Sequence, residues 1–215
     1  MAVTSSGIHT MTVGLHEGML TLAALSILII ILSKLYGRTF GKILYIDVER
    51  IRGFVEPVSV LGALGGSIIL LVSAYIGMFY VTSGIDALLT SPLLMNKVMM
   101  SIFAEEFWII FLVVRAKYGK DVWNRGVLSA TYAIIGLIGF LFTMEAGSLG
   151  GHLAGKGSVL DPIYDLTGIN PERFFRLDTL EIYALIGVTI VVGLAFGYTY
   201  WKSRLHRRVT SVEGS

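Results

Sequence analysis

The chain carries four histidines and no cysteine, so any metal, redox or proton chemistry must rest on imidazoles and carboxylates. His9 and His16 stand seven apart in "HTMTVGLH". If that stretch is helical, two turns separate them and they share a face. Glu17 follows at once, with a carboxylate able to orient an imidazole. His152 stands in "MEAGSLGGHLAGKGS", Met144–Ser158, just after Glu145 and among glycines that let the backbone pass near other groups. Two imidazoles on different helices, His16 and His152, are the minimum for axial ligation of a b-type haem, or the start of a copper or zinc site. A metal centre usually needs three or four ligands. His9, His16 and His152 form the set on offer, with Glu17 and Glu145 as orienting groups. The plain structural alternative is a helix that ends in a glycine stop, with no cofactor bound. His206, among basic residues, reads as a solvated flank.

Glu105 and Glu106 stand in the middle of a long apolar run, where a carboxylate costs about 2.5–3.5 kcal/mol to insert. Adjacent helical residues project about 100° apart, so at most one can point squarely at a given partner. The chemistry they could do is proton relay or contact with a quinone. The structural alternative is a protonated carboxyl bonded to a neighbouring helix. Lys97 is placed to pair with Glu105 or to snorkel outward, and Arg115 to snorkel inward. Met95, Met99 and Met100 read as packing rather than as copper ligands.

The elements that must position these groups are membrane spans. Hydrophobic residues make up 54% of the 215 residues and charged ones 15%, against about 25% in a soluble domain. Five stretches reach the roughly 20 apolar residues a span needs: Leu15–Leu35, Pro57–Val81, Leu93–Ala116, Gly126–Ser148 and Glu181–Trp201. Lysine and arginine gather around the first and third connections and after the last span, and are absent from Val81 to Pro92. The positive-inside rule then puts the N-terminus outside and the C-terminus in the cytoplasm, in a single polytopic all-α domain over 1–215. The first apolar run lacks a basic leader, so no cleavable signal is expected. No nucleic-acid motif is present.

The glycine pairs Gly14/Gly18, Gly62/Gly66 and Gly193/Gly197 favour close helix packing. The outer loop, 149–180, is long enough to be functional. "LDP" and "INPE" each set a turn or a helix start in it, and Tyr164, Phe174 and Phe175 offer packing over the bundle mouth.

The histidine opening the first span ("GLHEGMLTLAAL"), the small-residue second span and the "GSLGGHLAGKGS" end of the fourth resemble an uncharacterised prokaryotic membrane domain, the domain of unknown function numbered 2231. The resemblance covers about Ile8 to Val159 and implies a four-helix bundle with a suspected haem. That family tends to hold a histidine near the start of the third span, where this chain has Met95-Asn96-Lys97.

The expectation is a multi-pass plasma-membrane subunit for electron transfer or cofactor binding. It would carry a b-type haem, or copper, at the outer rim through His16 and His152, with a quinone exchanging electrons there and other membrane subunits as partners. It is a candidate subunit of a membrane oxidoreductase rather than a stand-alone enzyme. A cofactor-free assembly subunit is the first rival, and a small transporter using Glu105 and Glu106 the second.

Overall fold

The computed structural model describes residues 5–44, 48–81 and 85–170, together with positions 180, 181, 184, 187, 188, 190, 191, 193 and 194. Most of the fifth predicted span, His206, Phe174 and Phe175 fall outside the described residues.

Four long helices dominate. Helix α1 runs Ser5–Leu44 and α2 Val48–Ile76, the latter prolonged by a π-helical turn, Gly77–Val81. A short α3, Ile85–Thr90, leads into α4, Pro92–Tyr118. A 3-10 turn, Gly119–Asn124, then joins α4 to α5, Gly126–Leu153, and α6 is a short helix, Asp161–Thr167. No strand is present among the described residues.

Local chemistry explains several of these boundaries. Ser91 caps α4 by accepting the Leu94 N–H at 3.3 Å, and Pro92 opens it, where its missing N–H costs nothing. "LDP" does start a helix, α6, which ends at Gly168 with φ +67°. Pro57 lies inside α2 instead of opening a span there. The fourth predicted span, Gly126–Ser148, is longer than expected. The helix continues through Gly150 and Gly151 and ends only where Gly155 turns with φ +68°. Glycine inside a helix costs about 1 kcal/mol, so something must compensate at these positions.

Helices α1 and α2 pack along each other, as do α4 and α5, and the two pairs meet through α1 with α5 and α2 with α4. Facing residues fix the sense. Gly77, Gly66 and Gly62 of α2 lie against His9, Leu20 and Ala23 of α1, while Gly136, Gly139 and Gly150 of α5 lie against Phe111, Trp108 and Lys97 of α4. Numbers rise on one helix as they fall on the other, so the bundle is antiparallel. The Gly62/Gly66 pair does what the sequence asked of it: a Cβ on Gly62 would stand 2.7 Å from the Met19 carbonyl oxygen. Gly14 and Gly18 meet nothing within 4 Å.

The interior holds Leu20, Ala23, Ile27 and Ile30 of α1 against Trp108 and Phe111 of α4 and Tyr132 of α5. The outside is also apolar: Leu22, Leu32, Leu61, Ile68, Leu71 and Leu141 are all more than half exposed. Such a surface suits hydrocarbon, not water. Three helical stretches among the described residues are long and apolar enough to cross a membrane, Gly7–Tyr36, Glu49–Phe79 and Gly126–Leu153. Lys97, Glu105, Glu106 and Arg115 keep α4, which holds the third predicted span, out of that class.

Candidate functional site

Near one end of the bundle the four long helices enclose a cavity of about 220 Å³. Its walls are mostly aliphatic, from Val13, Leu70, Leu71, Leu94, Val98 and Ile102. Into it come His9, His16 and Glu17 of α1, Ser73 of α2, and Lys97 and Glu105 of α4. Apolar walls with a few convergent polar groups are the usual make-up of a small-molecule site.

Three glycines seat three of these polar side chains. A Cβ on Gly147 would lie 2.8 Å from Glu17 Oε1, one on Gly150 2.8 Å from Lys97 Nζ, and one on Gly77 2.7 Å from His9 Cε1. Gly147 and Gly150 therefore do not end the helix. They leave room on α5 for a carboxylate arriving from α1 and an ammonium arriving from α4, and that contact offsets their poor helix propensity. Glu17 and Lys97 attract each other through space across this seat. Sequence reasoning offered Lys97 a pairing with Glu105 or a snorkelling role. The carboxylate whose charge acts on it is Glu17, through space.

The imidazoles have local partners. His16 Nδ1 lies 3.3 Å from the Thr12 carbonyl oxygen, which can only accept, so Nδ1 carries the proton. In the neutral ring that leaves Nε2 with its lone pair. His9 Nδ1 lies 3.5 Å from the hydroxyl of Ser73. Glu105 is buried, and its Oε2 has no hydrogen-bond partner among the described residues. Glu106, its neighbour on α4, is half-buried and not part of the cavity wall.

His152 lies in the last turn of α5 and is not part of that wall. Its Nε2 is 2.8 Å from Asp161 Oδ1 at the start of α6, and Asp161 Oδ2 accepts the Ser158 N–H at 2.9 Å. The orienting carboxylate is thus Asp161, nine residues on, and not Glu17 or Glu145. Glu145 instead accepts the Tyr164 hydroxyl at 2.6 Å, and Ser148 Oγ is 2.9 Å from the same hydroxyl. Burial, and the Glu145 carboxyl beside it, hold the Tyr164 phenol above its usual pKa. Tyr164 thereby pins α6 to α5, the packing over the bundle end that the sequence offered. So the structure brings His9 and His16 to one cavity and gives His152 a separate network. Among the described residues no group of three or more histidines and carboxylates gathers as a metal ion would need.

A second cavity, of about 320 Å³, lies between α1, α5 and the turn at Gly157–Val159. Glu17 and Gly147 line both cavities, so Glu17 stands between them.

The opposite end of the bundle is filled. Phe111 and Tyr132 stack at 4.1 Å, Trp123 meets Tyr132 edge-on at 4.9 Å, and Trp108 donates to Thr143 Oγ1 at 3.2 Å. Arg115, expected to snorkel inward, forms an ion pair with Glu56 of α2. Lys34 donates to the Trp123 carbonyl oxygen and to Ser129 Oγ. The signal available for the ion pair was depth: Glu56 and Arg115 both stand at span ends on the basic side.

No family model, curated protein or solved structure matches the chain.

Proposed function

We propose that this chain is a multi-pass plasma-membrane subunit that binds a small amphipathic molecule of the quinone class and exchanges electrons with partner subunits. The observation that carries this reading is the cavity: aliphatic walls of membrane-compatible helices, with His9, His16, Lys97, Glu17 and Glu105 converging on one space. A quinone is flat and apolar, and its carbonyl oxygens accept hydrogen bonds from an ammonium or an imidazole N–H. Carboxyl groups can supply or take the protons that accompany its reduction. A b-type haem on His16 and His152, with copper as the alternative, belongs to the same reading. It requires His152 to offer iron a nitrogen other than the one held by Asp161, or to release Asp161. The orientation proposed with it is five spans, N-terminus outside and C-terminus in the cytoplasm, from the lysine and arginine distribution.

The test is extraction of the detergent-purified protein with organic solvent, followed by chromatography, alongside oxidised and reduced absorption spectra. Near-stoichiometric quinone that disappears in Lys97→Met supports the reading. A colourless protein that carries no quinone and binds none when it is added sinks it, and leaves a cofactor-free assembly subunit as the better description.

A further inference from the structure

We infer that the cavity grips its ligand at two ends, and that the second end is Glu105, which bonds an oxygen on the ligand's far edge. This rests on the ligand-binding reading above and narrows the ligand to an uncharged ring with oxygens at opposite edges, a dione or diol.

The polar groups of the cavity are layered. Lys97 and His9 occupy one level, since Gly150 and Gly77 seat them near the ends of α5 and α2. Glu105 lies eight residues further along α4 than Lys97, about 12 Å along the axis. The facing pair there is Glu105 with Ser67 of α2. Aliphatic side chains, Val98 and Ile102 among them, fill the wall between the two levels.

Glu105 is 7% exposed, lines the cavity, and leaves Oε2 without a hydrogen-bond partner among the described residues. Ser67 Oγ is buried beside the same carboxyl and interacts with it, yet Oε2 is left without a hydrogen bond among the described residues. Buried polar atoms are rarely left so, because the lost hydration is not returned. An unpaired carboxyl oxygen on the wall of a cavity marks the place where a ligand atom completes the bonding. The atom is uncharged, because a cationic ligand would have to share the cavity with Lys97. A carboxyl serves either redox form: protonated it donates to a carbonyl, ionised it accepts from a hydroxyl. A single-headed amphiphile held at the Lys97 end would leave Glu105 as unsatisfied as it is without a ligand.

The experiment uses the full chain in detergent and two probes of nearly equal shape. Menadione has two ring carbonyls and 1-tetralone has one. The chain has no cysteine for menadione to alkylate. Binding is measured by equilibrium dialysis to wild type, Glu105→Gln and Glu105→Leu, with helical content checked by circular dichroism. Wild type should prefer menadione about tenfold, the worth of one good hydrogen bond. Glu105→Leu should lose that preference by weakening menadione alone, and Glu105→Gln should largely retain it. If Glu105→Leu does not fold, Glu105→Met takes its place, and the wild-type ratio decides independently. Equal binding of both probes by wild type, or menadione binding unchanged in the apolar variant, overturns the inference and leaves the ligand-binding reading standing. Failure of wild type to bind either probe overturns both.

Discussion

The two ends of this bundle treat their charges in opposite ways. At the Trp123 end, Arg115 meets Glu56, Lys34 finds a carbonyl and a hydroxyl, and four aromatic rings fill the space between helices. At the other end Lys97 and Glu17 rest on glycines, a carboxyl oxygen of Glu105 has no hydrogen-bond partner among the described residues, and the space between them is hollow. The first arrangement is what stability asks of buried charge. The second costs stability, and proteins keep such arrangements where something binds or reacts. The contrast sets the hollow end apart as the place to test for function, without appeal to any single residue.

Breaking the filled end should have the largest effects on stability. Phe111→Ala removes a fully buried ring stacked on Tyr132 and should cost about 3–5 kcal/mol in denaturant unfolding of the detergent-solubilised protein. Glu56→Ala strands Arg115 and should cost about 3 kcal/mol, with Glu56→Ala/Arg115→Leu recovering most of the loss. A Glu56→Ala protein as stable as wild type would show that this end is not sealed by its ion pair.

At the hollow end the balance reverses. Gly147→Val must displace the Glu17 carboxylate and should cost about 1–3 kcal/mol, while abolishing menadione binding outright. Lys97→Met should leave stability within about 1 kcal/mol of wild type and still weaken the ligand, since the charge it removes is only loosely compensated. Equal loss of stability from Lys97→Met and Glu56→Ala would erase the distinction between the two ends. The smallest effect belongs to Tyr132→Phe. The Tyr132 hydroxyl is buried without a hydrogen-bond partner among the described residues, so removing it should change stability by less than about 0.5 kcal/mol or raise it.

Much of the fold could be read from hydropathy, because a span announces itself by length and by the absence of charge. The stretches predicted from Leu15 and Gly126 lie within helices able to cross a membrane, and the one from Pro57 overlaps a third, which ends at Phe79. The end of the fourth was misjudged because glycine propensity is local, while the contacts that keep Gly147, Gly150 and Gly151 helical come from α1, α4 and the turn at Gly157. His9, His16 and Glu17 were legible as a group because one helix carries all three. The approach of Glu17 and Lys97 to neighbouring seats on α5, and the pairing of Glu56 with Arg115, were not legible. Each pair spans two helices, and the register between helices is set by packing that no single segment encodes. Asp161 escaped notice for a different reason: it stood in "LDP" as a turn signal, and its second role as the partner of His152 depends on α6 folding back.

The seats on α5 have a mechanical meaning as well. Gly147 receives a side chain from α1 and Gly150 one from α4, so two helices are keyed to a third within a single turn. Sliding α5 by one turn, about 5.4 Å, would bring Thr143 or Gly151 under Glu17 and Ala146 or Ala154 under Lys97. Either direction puts a methyl group where the ammonium now lies. The bundle therefore has one register, as a lock has one key position, and it cannot admit a ligand by ratcheting its helices past each other. The fixed register leaves side chains as the parts free to swing, and Glu17, which lines both cavities, stands at the boundary between them.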